Sequence, residues 1–268
     1  MKIGVFYIPI VDGRTATCYD CDMKIISLNI WGGKIYQKLV DFIQSNSEID
    51  VFCFQEIYKD GYEFFKDTKY KNNKHDIYYD IKKLLPGHKG VFHPALGEYY
   101  GVAMFIKNNY DILETGEVFI YKEKGHLPEG DMGRHARNLQ WALINTPKEP
   151  ITIVNVHGLW NGQGKTDTDE RIEQSQRIVD FIKSIETRII LCGDFNLRLD
   201  TKSLSMIDES GLRNLIREYN VPTTRTSLYD KPEKHADYMF ISPELKEKQF
   251  IVLPDEVSDH SPLMLEID

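Results

Sequence analysis

Four apolar residues in a row, Ile189-Ile190-Leu191-Cys192, break abruptly into Gly193-Asp194-Phe195-Asn196. So short a run, closed by a glycine and an acid, reads as a buried strand. A second phrase, Ser258-Asp259-His260, stands just before the apolar Pro262-Leu263-Met264-Leu265. Acid, amide and imidazole at the ends of buried strands require a fold in which those ends can meet, because sites are usually built on loops carried by a rigid scaffold. They are also the groups that a metal-assisted attack on a phosphoester needs.

The rest of the chain supplies such a scaffold. From Met23 onward, strand and helix patterns alternate. Strands are expected over 24–30, 50–54, 101–106, 118–121, 139–145, 151–157, 189–192, 238–241, 250–253 and 263–267. Apolar residues at helical spacing predict helices over 34–46 and 169–185, and a further helix over 76–85 stops at Pro86-Gly87. Thr146-Pro147-Lys148-Glu149-Pro150 separates two strands as a hairpin turn would. About ten strands and about four helices, with no internal repeat or low-complexity linker, fit a layered α/β sandwich formed as one domain over 23–268.

Residues 1–22 fit that pattern less well. Their apolar run holds Pro9, ends at Asp12 and has only Lys2 before it, which makes a poor signal peptide. They are read as a peripheral extension without a catalytic part. Cys18 and Cys21 are half of a zinc site with no second half in the sequence, while Cys53 and Cys192 read as core residues. With no disulfide framework, a reducing, cytoplasmic setting is expected. No apolar stretch approaches the ~20 residues that span a bilayer. A net charge of -8 gives no general attraction to nucleic acid, so a phosphate-rich substrate needs a local basic patch or a metal.

Polar groups recur at the strand ends: Asn29, Gln55-Glu56, Asn155 with His157, Asp194 with Asn196, Asp237, and Asp259-His260. Each alone has an ordinary reading as a cap, a solvated charge or a hydrogen-bonded core residue. Together and in order they resemble the endonuclease/exonuclease/phosphatase (DNase I-like) superfamily. The phrases that carry the resemblance are Ser27-Leu28-Asn29-Ile30, Cys53-Phe54-Gln55-Glu56, Tyr100-Gly101-Val102-Ala103, Asn155-Val156-His157, Gly193-Asp194-Phe195-Asn196, Ala236-Asp237-Tyr238 and Ser258-Asp259-His260.

The resemblance implies a four-layered α/β sandwich, with two mixed β-sheets packed together and helices outside, and metal-dependent phosphoester hydrolysis. Glu56, with Asn29 and Asp259, would form a hard oxygen site for Mg²⁺ or Mn²⁺. Asp194 would orient or deprotonate the attacking water, and Asn196 would hold a phosphate oxygen. His260 would pair with Asp237, whose carboxylate is expected to favour the charged ring. His157 is the other candidate acid or base; abasic-site endonucleases of the superfamily carry Tyr there, which argues against that repair activity. Substrate contacts are expected from Tyr100, Asn155, Arg134 and Arg137, the two arginines lying in a glycine-containing rim over 122–137. Arg171, near the start of the long helix, is expected to make a structural ion pair.

Residues 59–89 hold eight lysines against five acids, interleaved with Tyr62, Phe64, Phe65, Tyr70, Tyr78 and Tyr79. That composition suits either a single-strand nucleic-acid platform or an amphipathic helical segment that buries its aromatics. The expected partner is a phosphoester substrate, with nucleic acid foremost. A small phosphoester or a phospholipid head group is the alternative, and a non-catalytic module on the same fold is a third reading. The chain is expected to be a monomer with no stable membrane association.

Overall fold

The computed structural model describes residues 22–268. The extension read over 1–22, apart from Asp22, and the pair Cys18 and Cys21 therefore lie outside the described residues. The strands are β1 (Met23–Asn29), β2 (Val51–Tyr58), β3 (His88–Leu96), β4 (Tyr100–Lys107), β5 (Ile112–Tyr121) and β6 (Arg137–Ile144). They continue with β7 (Ile151–His157), β8 (Arg188–Asp194), β9 (Arg213–Asn214), β10 (Asp237–Ile241), β11 (Glu247–Val252) and β12 (Leu263–Ile267). The helices are α1 (Tyr36–Ser45), α2 (Tyr62–Phe65), α3 (Ile77–Leu84), α4 (Asp169–Ser184), α5 (Lys202–Asp208) and α6 (Leu215–Glu218).

Two six-stranded sheets result, in the orders β11-β12-β1-β2-β4-β3 and β5-β6-β7-β8-β10-β9. Both are mixed. β1 runs parallel to β2 and antiparallel to β12, and β7 runs parallel to β8 and antiparallel to β6. The expected sandwich of two mixed sheets flanked by helices is the one observed.

Side chains alternate between strand faces, and this sorts each strand into an outer and an inner row. Ile26, Leu28, Phe52 and Phe54 point outward and pack with Leu39, Phe42 and Ile43 of α1 and Ile77 and Ile81 of α3. Their neighbours Ile25, Val51, Cys53 and Met104 belong to the other core, with Ile153, Ile190, Cys192 and Met239 of the second sheet. Cys53 and Cys192 meet across this interior. Each such Ile buried from water contributes about 1.5–3 kcal/mol.

Towards one end of the sandwich the inner rows turn polar: Asn29 on β1, Gln55 on β2, Asn155 and His157 on β7, Asp194 on β8, Asp237 on β10, all buried. β1, β2, β7 and β8 reach this end with their C-termini. β10, antiparallel to β8, reaches it with its N-terminus, where Asp237 pairs with Asp194.

Sequence patterning missed β3 and β9. β3 carries Gly90, Pro94 and two histidines, and the chain tolerates that proline because β3 is an edge strand with a register irregularity at Pro94. β9 has two residues, too few for a periodic signal.

Candidate active site

Gly193, the penultimate residue of β8, sets the backbone that delivers Asp194. Its φ is +134°, and a Cβ at this position would stand 2.1 Å from the Val156 carbonyl oxygen, which leaves no room for a side chain. Asp194 then closes a short loop, its Oδ1 accepting from the Asn196 backbone N–H at 2.9 Å. Asn196 sits at φ +54°, a conformation that asparagine adopts more readily than most residues.

Asn29 ties this loop to the first sheet. Its Nδ2 donates to Asp194 Oδ2 at 3.0 Å and to Glu56 Oε1 at 3.1 Å. Its Oδ1 accepts from the Trp31 backbone N–H at 2.9 Å, which fixes the amide orientation. The expected oxygen ligand is thus turned away: Asn29 offers nitrogen to two carboxylates and holds them together.

Glu56 lies where β2 slips register between Phe54 and Ile57, at φ +61°. A non-glycine residue in that region costs about 1–3 kcal/mol and needs support from its surroundings. The irregularity turns its carboxylate into the pocket. Burial and the charge of Asp259 push Glu56 up to about 7, with Asp194 adding to the effect and the Asn29 hydrogen bond opposing it. A cluster of oxygen donors whose charges oppose one another is a setting that a hard divalent cation relieves.

Opposite stands the imidazole of His260. Its Nδ1–H donates to Asp237, 2.8 Å from Oδ1 and 2.9 Å from Oδ2, and Thr224 Oγ1 donates to Asp237 Oδ2 at 3.1 Å. Nε2 therefore faces the pocket, 3.7 Å from Asp194 Oδ2 and 3.8 Å from Asp259 Oδ1. Burial and the nearby Arg225 hold the ring neutral, well below the usual histidine range. Asp237 was expected to favour a charged ring; burial and Arg225 set the net direction instead. Burial also raises Asp237, to about 6.

His157 Nε2 lies 3.9 Å from Asp194 Oδ2. An Arg137 N–H donates to its ring at 3.0 Å, and burial with that guanidinium keeps the ring neutral as well. Lys165 completes the floor: its buried ammonium donates to Asn196 Oδ1 at 2.8 Å, and burial lowers it to about 8.

These groups open into a pocket of about 170 Å³. One wall is aromatic and apolar, with Tyr58, Phe65, Tyr70, Leu96, Tyr100 and Met132. The other wall, with Trp160, Lys165, Arg225, Tyr229 and Lys231, stacks cations on rings.

Residues 26–260 match the Endonuclease/Exonuclease/phosphatase family. The chain belongs to that family. As a member it is a hydrolase of phosphoester bonds. No curated protein matches its sequence. Solved structures do match its fold. An endonuclease/exonuclease/phosphatase family protein from Bacteroides thetaiotaomicron has a TM-score of 0.71 at 20% identity, covering 92% of this chain and 97% of that one. A mannosyl-6-phosphatase from the same organism has 0.70 at 19%, covering 92% and 99%. A 2′,3′-cyclic phosphatase has 0.69 at 16%, covering 92% and 95%.

Within this family member the structure brings together Glu56, Tyr100, Arg137, His157, Asp194 and Asn196 at the pocket. Asp259 and His260 join them there, with Asp237 behind His260 and Asn29 beneath the two carboxylates. Two expected substrate contacts lie elsewhere. Asn155 is buried between the sheets, donating to the carbonyls of Phe54 at 3.1 Å and Ala103 at 3.3 Å. Arg134 is half-exposed and paired with Glu170 at 3.1 Å.

The aromatics of 59–89 mostly pack inward. Phe65 and Tyr78 are buried, and Phe64, Tyr70 and Tyr79 pack against the same core. Tyr62 is the large exposed one, at 60%. The segment is the amphipathic form of the two readings.

Lys165 and Arg225 escaped the sequence reading because neither ends a strand. The one available signal was a lone lysine in the Gly- and Thr-rich loop 158–168. Arg171 organises that loop, donating to the carbonyls of Thr166 and Gly164 at 2.6 Å each and of Leu159 at 3.4 Å. An ion pair was expected of Arg171; its hydrogen-bond partners are backbone oxygens.

Proposed function

We propose that this protein uses a divalent cation, Mg²⁺ or Mn²⁺, to hydrolyse a compact phosphoester seated in the pocket. The observation that carries the reading is the pairing of Asp194 with the open Nε2 of His260 at 3.7 Å across one small pocket.

The residues fit such a cation. Glu56 and Asp259 supply hard oxygen atoms, and the rise of Glu56 to about 7, driven first by burial and then by the neighbouring Asp259 and Asp194 charges, is one that a bound cation would relieve. Asp194, Asp237 and His260 form another group whose ligand atoms lie within 4.8 Å of one another. In that group Nδ1 already donates to Asp237, which suits an oriented base better than a pair of ligands. When bound, the cation would polarise a phosphoryl oxygen and steady the leaving oxygen.

The protein's own groups would divide the remaining work. Asp194, positioned by Asn29 and by the Asn196 N–H, orients the attacking water. Neutral His260 accepts its proton at Nε2, and Asp237 stabilises the imidazolium that forms. Asn196 and Lys165 hold a phosphoryl oxygen, and Arg137 keeps His157 turned towards it.

The two walls favour a small phosphoester, or the end of a longer one, over the middle of a nucleic-acid strand. A continuous strand needs a track that passes through, lined by exposed stacking rings. Here Phe65 and Tyr100 are buried in the wall, the partly exposed Trp160 and Tyr229 are already stacked by cations, and the pocket measures only about 170 Å³. A panel of sugar phosphates, nucleotides, phospholipid head groups and single- and double-stranded nucleic acids with Mg²⁺ or Mn²⁺ tests the reading, with Asp194→Asn as control. Internal cleavage of nucleic acid, with the small esters untouched, would overturn it.

A further inference from the structure

Arg225 is buried, 8% exposed, yet its Nε and Nη1 have no hydrogen-bond partner. Desolvated donors left unpaired carry a free-energy cost, and an arginine fork is shaped to meet paired anionic oxygens. Nη1 faces Asp259 Oδ2 at 3.6 Å, which balances charge without making a hydrogen bond.

The guanidinium does not wander. It lies 4.1 Å from the centre of the Tyr229 ring, and the Tyr229 hydroxyl donates to Glu233 at 3.1 Å. Its backbone bridges to His260, and the flanking bonds Ser261 N–H to Thr224 O at 3.0 Å and Thr226 N–H to Asp259 O at 3.3 Å fasten the same segment. Arg225 is therefore fixed relative to the reacting imidazole. Lys165 approaches the same Tyr229 ring at 5.9 Å and the Trp160 ring at 4.9 Å, while its ammonium donates to Asn196.

We propose that Arg225, with Lys165, grips the terminal oxygens of a phosphomonoester and sets a preference for monoesters over diesters. The proposal rests on the hydrolytic reading above and names its substrate class. A monoester offers one more unsubstituted oxygen than a diester. Two buried cations beside a cation-binding carboxylate group can use every one of them. A diester replaces one acceptor with a carbon substituent, leaving donors of Arg225 unmet and placing bulk against Tyr229. In the reaction the water oxygen bonds to phosphorus, and its proton passes to His260 Nε2. The ester P–O bond breaks, the leaving oxygen takes a proton from solvent, and alcohol and orthophosphate depart.

The test compares kcat/KM for 4-nitrophenyl phosphate and bis(4-nitrophenyl) phosphate in the wild type, Arg225→Gln and Arg225→Lys. It adds calorimetric titration of each cation-free protein with orthophosphate. The wild type is expected to favour the monoester. Arg225→Gln should lower the monoester-to-diester ratio by about tenfold or more and weaken orthophosphate by a similar factor, with Arg225→Lys between, since it keeps charge but loses the fork. A wild-type preference for the diester, an equal fall on both esters, or unchanged orthophosphate affinity overturns the proposal. If the wild type turns over neither ester, the hydrolytic reading fails, and the orthophosphate titration alone decides the subsite. If Arg225→Gln does not fold, Arg225→Lys carries the comparison, and a wild-type ratio and affinity in that variant would refute it.

Discussion

The Nδ1 of His260 lies 2.8 Å from Oδ1 of Asp237, so the carboxylate fixes the tautomer that turns Nε2 towards the pocket. Asp237→Asn keeps the shape but removes the charge that stabilises a protonated ring. We expect kcat to fall on the order of 10³-fold, with a small change in melting temperature. Steady-state kinetics with ¹⁵N chemical shifts of the ring check both parts. A full-rate variant would show that His260 carries no proton in the reaction.

Asn29 holds Glu56 and Asp194 through one amide group. Asn29→Ala removes the shared donor and leaves the buried Asp194 carboxylate facing the partly buried one of Glu56. The expected cost is about 1–3 kcal/mol in urea denaturation, together with a fall in kcat. Asn29→Asp should be worse, because it adds a charge to the same cluster. A stable, active Asn29→Ala protein would contradict this role.

Glu56 is pushed up to about 7 in the cation-free protein, chiefly by burial. At pH 6.5 much of it carries a proton that a bound divalent cation must displace. Titration with Mg²⁺ or Mn²⁺ in buffers of different ionisation enthalpy should therefore reveal proton release, absent in Glu56→Gln. The same variant should lose any rise in melting temperature caused by the cation.

His88 gives a pH effect remote from the active site. Its Nε2–H donates to the Ile49 carbonyl at 2.7 Å, and its Nδ1 is buried without a partner. Burial, with a contribution from Lys107, lowers its pKa. Below about pH 6.5 the unfolded chain takes up a proton there that the folded protein refuses. Stability should thus fall as pH drops from about 6.5 towards the lowered folded value. His88→Gln can still donate to Ile49, and its denaturation free energy should vary less steeply over that window. Identical slopes in the two proteins would count against the assignment.

Gly193→Ala should unfold the loop that presents Asp194, since the new methyl would meet the Val156 oxygen at 2.1 Å. A loss of more than about 3 kcal/mol, or failure to fold, is expected from a clash with backbone at positive φ. Thermal melts of the purified variant measure it.

The fold was legible wherever a segment was apolar on a regular period. β1, β2, β7 and β8 each show it, and so does α4 with Ile178 and Ile182. β3 was not, because an edge strand can carry Gly90 and Pro94 and still pair. At the site, residues that end strands could be read from sequence, since a polar group after an apolar run has few other reasons to be there. Residues that arrive through loops could not. Arg225 and Arg134 look alike in a sequence of scattered arginines; one is buried at the pocket and the other paired with Glu170 near the surface. Asn155 shows the opposite limit. It ends a strand like its neighbours, yet its register places it one step inside, where carbonyl oxygens of the other sheet consume its donors. The sign of the His260 shift was illegible for a related reason: it depends on burial and on Arg225, which approaches from far along the chain.

Asn155 also has a mechanical consequence. Glu56 and Asn29 ride on one sheet, whereas His157, Asp194 and Asp237 ride on the other. A slip of one residue, about 3.3 Å, would separate the halves. Gln55 Nε2 donates to Asn155 Oδ1 at 2.6 Å, and Asn155 in turn donates to two main-chain oxygens of the opposite layer. These amides work as dowel pins in a two-part mould. Alignment of the halves is secured below the cavity by groups no substrate touches, so the rim can be recast for a different ester while the reacting groups keep their spacing.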